Sequence, residues 1–135
     1  MKKRIALITG ATSGIGEACA HRFAMGGYNI IVTGRNRKRL DEMKKELEAE
    51  GADVLTLCFD VRDRAQTKEA VESLGEEWQA VDVLINNAGL ARGLEPEYDG
   101  DFTDWDEMID TNIKGLLNMT RLIVPGMVER DHGHV

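Results

Sequence analysis

Cysteine, histidine and tyrosine are scarce in this 135-residue chain, and no long apolar run is present. The two cysteines, Cys19 and Cys58, have no metal-site spacing. They fall in a predicted helix and a predicted strand and read as small buried apolar residues. A disulfide or a reactive thiol is the alternative, but the acidic composition points to the cytoplasm, where thiols stay reduced. His21, His132 and His134 are scattered, so no metal is expected, His132 with His134 being the one pair to weigh against that. Nothing resembles an 18-residue apolar span, which argues against a transmembrane helix. A net charge of −7 disfavours nucleic acid and anionic membrane as partners. The opening Met-Lys-Lys-Arg looks like the start of a signal peptide. Only residues 5–8 are apolar before Thr9 and Gly10, so a strand with a charged leader is the reading taken.

What is present is ordinary for one globular domain with a single core: 42% apolar and 30% charged residues, with no repeat, linker or low-complexity tract. Short apolar runs at 4–9, 29–33, 53–59 and 81–86 read as strands. Helix-period segments lie between them. Ile15, Ala18, Cys19 and Phe23 would share one helix face, ended by Gly26 and Gly27. Leu40, Met43 and Leu47 mark a second helix, closed by Gly51. Asp63 with Gln66 resembles a capping box before a third, with Val71 and Leu74 facing the core. A long helix over 105–129 would bury Trp105, Met108, Ile109, Ile113, Leu116 and Ile123, with Pro125 kinking it or ending its regular part. Strands alternating with helices predict an α/β fold with a parallel, doubly wound sheet of the Rossmann type, strand order 3-2-1-4.

The turn from the first strand into the first helix reads Thr9-Gly10-Ala11-Thr12-Ser13-Gly14-Ile15-Gly16. Gly10 permits a sharp turn, Gly14 lets a pyrophosphate approach the backbone, and Gly16 lets the helix pack close to the sheet. The helix N-terminus then offers free N–H groups and the positive end of its dipole to phosphates. A tight turn with no ligand is the alternative, but strand before and helix after are the context that dinucleotide binding requires.

At the end of the second strand, where NAD-binding folds place an acid for the ribose 2′-hydroxyl, stands Gly34, followed by Arg35-Asn36-Arg37-Lys38-Arg39. An acid would repel a 2′-phosphate, whereas a guanidinium binds one bidentately. A solvated basic helix start is the alternative. It opposes the helix dipole by roughly 0.3–1 kcal/mol per cation, a cost that a bound anion offsets. NADP is therefore the expected cofactor, with Arg35 as first contact and Arg37 or Lys38 as second.

The pattern T-G-x-x-x-G-x-G resembles that of the short-chain dehydrogenase/reductase family, and the resemblance runs from there to the end of the chain. Asp60-Val61 looks like the family's adenine-contacting pair, Asn86-Asn87-Ala88-Gly89 like its N-N-A-G motif, and Asn112, three residues before Gly115, like its catalytic-helix asparagine. The resemblance implies cofactor contacts at Gly10, Thr12, Ser13, Gly14, Ile15, Gly16, Asp60, Val61, Asn87, Ala88 and Gly89. It also implies a catalytic role for Asn112, whose backbone carbonyl would hold a water in a proton relay. A hydrogen-bonded core asparagine is the other reading at 112, as turn-holding amides are at 86 and 87. Ser13 stands where some NADP-preferring members carry a basic residue. Within the family, the segments Asn-Asn-Ala-Gly-Leu-Ala-Arg-Gly-Leu-Glu-Pro and Pro-Gly-Met-Val-Glu-Arg look most like NADP-dependent 3-hydroxy acid dehydrogenases. Arg92 would then face a substrate carboxylate or simply the solvent. Members often dimerise through the long helix, so a homo-oligomer is implied, with Trp105, Ile113 and Leu117 facing the partner.

Family catalysis uses a Tyr with a Lys four residues later. The chain's only tyrosines, Tyr28 and Tyr98, are followed at that spacing by Val32 and Phe102. Residues 1–135 are therefore expected to be an incomplete, truncated single dinucleotide-binding domain, with substrate chemistry in a full-length parent. Two other readings are a non-catalytic nucleotide-binding or interaction module and a piece that works with a complementary chain. The fourth strand, with Val81, Val83, Leu84 and Ile85, is expected to leave one edge open and one face uncovered, which favours marginal stability or self-association. Incubation of the purified 135-residue chain with NADP(H) and hydroxy or oxo acids is expected to give no change in absorbance at the reduced-nicotinamide band; turnover would refute the assignment.

Overall fold

The computed structural model describes residues 2–135. Strands and helices alternate as β1 (Ile5–Ile8), α1 (Gly14–Met25), β2 (Asn29–Gly34), α2 (Arg37–Ala49), β3 (Val54–Cys58), α3 (Arg64–Glu72), the single turn α4 (Glu76–Gln79) and β4 (Val83–Ile85). A long helical stretch follows: α5 (Phe102–Ile109), a π-helical turn (Asp110–Gly115) and α6 (Leu116–Arg130). Every strand pair is parallel and the order is β3-β2-β1-β4. This is the expected Rossmann-type α/β arrangement.

The sheet carries apolar side chains on both faces, as buried parallel strands do. On one face Ile30, Val32, Ala6 and Ile8 pack against α1 and α2; on the other Ile5, Leu7, Ile31 and Leu84 pack against Met119, Ile123 and Met127 of α6. Leu40, Met43 and Leu47 are all fully buried, as their spacing predicts. Each contributes roughly 1.5–3 kcal/mol. Asn36 caps α2 by accepting the Arg39 N–H at 3.1 Å, and Asp63 caps α3 by accepting the Gln66 N–H at 3.0 Å. The Gln66 side chain does not close a box on Asp63; its oxygen accepts the Asp60 N–H at 3.2 Å.

Four expectations are corrected. The buried face of α1 is Gly16, Ala20 and Ala24, and Ile15 is exposed. Small side chains let this helix lie close to the sheet, which displaces the larger ones to its flanks. The long helix buries Thr111, Gly115, Asn118, Met119, Ile123 and Met127, whereas Ile109, Ile113 and Leu116 are exposed. The π turn adds a residue to the register and rotates the apolar stripe before it out of line with the one after it. Of the two outcomes expected at Pro125, an end to the helix is the one corrected, since α6 runs on to Arg130. Cys58 is exposed at the last position of β3, Cys19 is only partly buried, and both thiols are free.

The outer edge of β4 is not bare. His134 bridges Val83 in parallel, accepting the Leu84 N–H and donating to the Asp82 carbonyl, both at 2.9 Å. Val81 and Leu84 are buried, although Val83 and Ile85 remain partly exposed. No helix among the described residues is long and apolar enough to cross a membrane.

One close contact fixes the π turn against the sheet. A Cβ on Gly115 would lie 2.7 Å from Val61 Cγ2. Gly115→Val is expected to destabilise the fold by about 1–3 kcal/mol, seen as a drop in Tm of roughly 3–15 °C in a thermal melt.

Candidate functional site

The carboxyl ends of β1, β2, β3 and β4 open into one crevice of about 440 Å³. Gly10, Thr12, Ser13 and Ile15 from the first turn line its floor. Thr33, Gly34, Arg35 and Asn36 come from the end of β2, and Phe59, Asp60 and Val61 from the end of β3. Asn87, Ala88, Gly89 and Leu90 follow β4, and Thr111 reaches in from the π turn. Open parallel sheets bind ligands at this edge, where the strand order reverses.

The first turn is held by β4. The Thr9 hydroxyl, buried at the end of β1, accepts the N–H groups of Asn87 and Ala88 at 3.1 and 2.9 Å. The Asn87 amide donates in return to the Thr9 and Gly10 carbonyls at 3.2 and 3.0 Å. Gly10 and Gly14 both lie at φ +59°, a left-handed conformation that suits glycine. A Cβ on Gly16 would come within 2.4 Å of both the Asn87 amide nitrogen and the Gly10 carbonyl oxygen. Its role is thus close approach to the loop itself. Around a Cβ on Gly14, by contrast, nothing lies within 4 Å. Ser13 makes no side-chain capping bond, so the first-turn N–H groups of α1 lack a partner from it. An open cradle beside free N–H groups fits a phosphate.

The β2 side explains the glycine at 34. A Cβ there would lie 2.8 Å from Thr12 Cγ2, so any larger side chain has to displace that of Thr12. Arg35, mostly exposed, stands at the crevice mouth with its guanidinium 3.8 Å from Asp60. The basic segment then divides. Arg37 turns away to Thr56, 3.2 Å, and Asp41, and Lys38 does not line the crevice. Arg39, at the back of the loop, donates to the Thr12 carbonyl and pairs with Glu17, Glu42 and Glu46. Those carboxylates hold the Arg39 guanidinium above its ordinary value; the Glu46 hydrogen bond is the largest cause. They also neutralise one of the three cations that oppose the α2 dipole, so this charge needs no bound anion to explain it. The Asn36 oxygen is engaged in capping α2.

On the β3 side, Arg62 grips Asp60 through Nε at 3.1 and 3.0 Å and Nη2 at 2.7 Å, and its N–H adds a bond of 3.0 Å. Partial burial pulls the Asp60 carboxyl upward, but the Arg62 side chain and backbone, with the more distant Arg35 charge, outweigh it and hold the group below the usual carboxylate range. Asn112, in the π turn, receives the Leu90 N–H and donates to the Leu90 carbonyl, both at 2.8 Å. Asn86 donates to Thr120 at 3.1 Å. Arg92 pairs with the half-buried Glu107, a contact outside the crevice.

The structure thus brings together Gly10, Thr12, Ser13, Ile15, Arg35, Asp60, Val61, Asn87, Ala88 and Gly89; Gly14 and Gly16 shape the same loop, while Arg37 and Lys38 lie outside. Sequence reasoning missed Thr9, Arg62, Thr111 and Asn118. Arg62 stands two residues after Asp60, a spacing that signals the pair. Asn118 is buried, donating to the Val61 carbonyl at 2.9 Å, and nothing in its neighbourhood of sequence marks it.

Comparison with known proteins gives one family. The profile described as short chain dehydrogenase matches residues 4–135. A relative from Salmonella typhi, NADP-dependent 3-hydroxy acid dehydrogenase YdfG, is 53% identical over 131 residues, covering 97% of this chain and 52% of its own. The crystal structure of serine dehydrogenase from Escherichia coli superposes with a TM-score of 0.88 at 50% identity, over 96% of this chain and 59% of that one. The closed form of serine dehydrogenase complexed with NADP+ superposes with a TM-score of 0.88 at 51% identity, over 96% and 51%. The chain spans about half the length of the curated relatives it matches.

The Asp60–Arg62 pair has a pH signature. A carboxyl lowered on folding stabilises above its unfolded value, near 3.9, and the contribution disappears as pH falls through the lower folded value. In a carboxyl-carbon NMR titration, Asp60 is expected to titrate below about 3.9, and Arg62→Met to move it upward. An unchanged midpoint would show that the guanidinium does not set it.

Proposed function

The chain belongs to the short chain dehydrogenase family, and from that premise we propose that it is the NADP(H)-binding half of an oxidoreductase acting on a 3-hydroxy acid, or a similar alcohol, and its carbonyl counterpart. The observation that carries this reading is the crevice that the glycine turn at the N-terminus of α1, through Gly10, Thr12, Ser13 and Ile15, shares with Arg35, with open space at Gly14 beside it. A nicotinamide dinucleotide supplies the hydride carrier when bound, and this chain's residues hold and orient it.

In this reading Gly10, Thr12, Ser13, Gly14, Ile15 and Gly16 receive the pyrophosphate, through backbone N–H groups and the helix dipole. Arg35 takes the 2′-phosphate, and Gly34 leaves that approach free of a carboxylate. Lys38, which has no ion pair among the described residues, is a better second contact than Arg37, which would first have to leave Thr56. Asp60 and Val61 border the adenine, and Asn87, Ala88 and Gly89 border the opposite wall. Asn112 acts through its backbone carbonyl as a water holder, and its side-chain bonds to Leu90 fix that carbonyl's position. The 3-hydroxy acid substrate rests on the relatives' names and on the shared segments quoted above. Exposed Ile109, Ile113 and Leu117 support pairing with a second copy along α5 and α6.

A second reading is favoured for this polypeptide by itself. With Val32 and Phe102 four residues after its two tyrosines, it would bind the nucleotide without turning over substrate.

Titration of the chain with NADPH and NADH tests the proposal. NADPH is expected to bind at least tenfold more tightly. Arg35→Ala is expected to weaken NADPH by about 10–100-fold, the value of a charge-assisted hydrogen bond, with NADH little changed. Equal affinity for the two in the unmodified chain would remove the 2′-phosphate argument.

A further inference from the structure

Behind the glycine loop, the groove between α1 and α2 gathers an imidazole and several carboxylates. Glu17 and His21 stand four residues apart on α1, and Glu46 and Glu50 four apart on α2, so each pair shares one helix face. One ligand atom from each of Glu17, His21 and Glu46 lies within 4.8 Å of the other two. Among the described residues no other His, Cys, Asp and Glu side chains converge in this way, and His132 and His134 are no part of it. None of the three lines the dinucleotide crevice.

The imidazole sets the chemistry. His21 Nδ1 lies 2.7 Å from Glu50 Oε1, and Nε2 lies 3.5 Å from Glu46 Oε2. A neutral ring carries one proton. The short contact takes it at Nδ1, which leaves the Nε2 lone pair turned toward a carboxylate oxygen. Two lone pairs so placed repel unless a cation stands between them. A carboxylate on the other ring nitrogen is also how a metal-binding histidine is held in tautomer and orientation.

Arg39 does not fill that gap. It donates to Oε1 of Glu17 and to Oε1 of Glu46, while Oε2 of each accepts no hydrogen bond among the described residues. With Glu42 and Glu50, four carboxylates surround one guanidinium and one imidazole, an excess of three negative charges when the ring is neutral.

We propose that Glu17, His21 and Glu46 form a site for a divalent transition metal of the zinc class that bridges α1 and α2. Glu50 orients the imidazole, and Arg39 keeps the remaining carboxylate oxygens. One imidazole with two carboxylates suits zinc or cobalt, whereas magnesium and calcium take oxygen ligands. Zinc bonds of roughly 2.0–2.2 Å place tetrahedral ligands about 3.3–3.6 Å apart, so side-chain rotation closes the site, with water as fourth ligand.

The test uses the 135-residue chain without an affinity tag. Calorimetric titration with Zn2+ is expected to show a single site, and Mg2+ at the same concentration none. His21→Gln is expected to weaken Zn2+ about 100-fold and Glu50→Gln about 10-fold, each with an unchanged melt in chelator. Replacing both His132 and His134 by Gln is expected to leave the affinity as it was. Co2+ is expected to give the intense visible absorption of tetrahedral coordination. Absence of a Zn2+ site would overturn the proposal and leave an imidazolium between the carboxylates. Affinity that His21→Gln leaves intact, or that Mg2+ matches, would overturn it too, as an adventitious acidic patch only. If His21→Gln does not fold, the Co2+ spectrum of the unmodified chain decides, and weak octahedral absorption there counts against the site.

Discussion

The site depends on a single junction, where the Asn87 amide bonds the carbonyls of Thr9 and Gly10 while Gly16 leaves room for it. The end of β1 and the first turn of α1, neighbours in the chain, meet there with the distant residues after β4. The reciprocal bonds from Asn87 and Ala88 to the Thr9 hydroxyl close the junction from the other side. Any side chain at 16 would push the helix start off the loop, and the N–H groups that face the crevice would lose their aim. The shape of the first turn is thus a product of strand β4 as much as of the glycine loop.

Electrostatics around the crevice is graded. At the rear, Arg39 is surrounded by Glu17, Glu42 and Glu46, and its charge is internal to the protein. At the β3 wall, Arg62 and Asp60 neutralise each other through a bidentate grip. Arg35 at the mouth has only a loose contact with Asp60, at 3.8 Å. A dianionic group approaching from solvent therefore meets one lightly engaged guanidinium in a chain whose net charge is −7.

The long helix shows how a local irregularity serves a site. The π turn at Asp110–Gly115 breaks one apolar stripe into two, turning Ile109 and Ile113 outward and Thr111 and Gly115 inward. It brings the backbone close to Val61 and gives Asn112 its two hydrogen bonds with the Leu90 backbone. A regular α-helix of the same sequence would carry a continuous stripe, the arrangement that periodicity alone suggests.

Sequence by itself determined the alternation of strands and helices, the parallel order β3-β2-β1-β4, the core positions Leu40, Met43 and Leu47, and the glycine loop. These follow from local rules: apolar period, caps, and the need for glycine at a left-handed turn. Tertiary structure alone decided which face of α1 is buried, because that depends on how near the helix can come to the sheet. It alone separated Arg35 from Arg37 and Arg39, three like residues told apart by Asp60, Thr56 and Glu17, each distant from them in the chain. It also decided the π turn and the meeting of Glu17 and His21 with Glu46, since a contact between two helices has no signature in the order of residues.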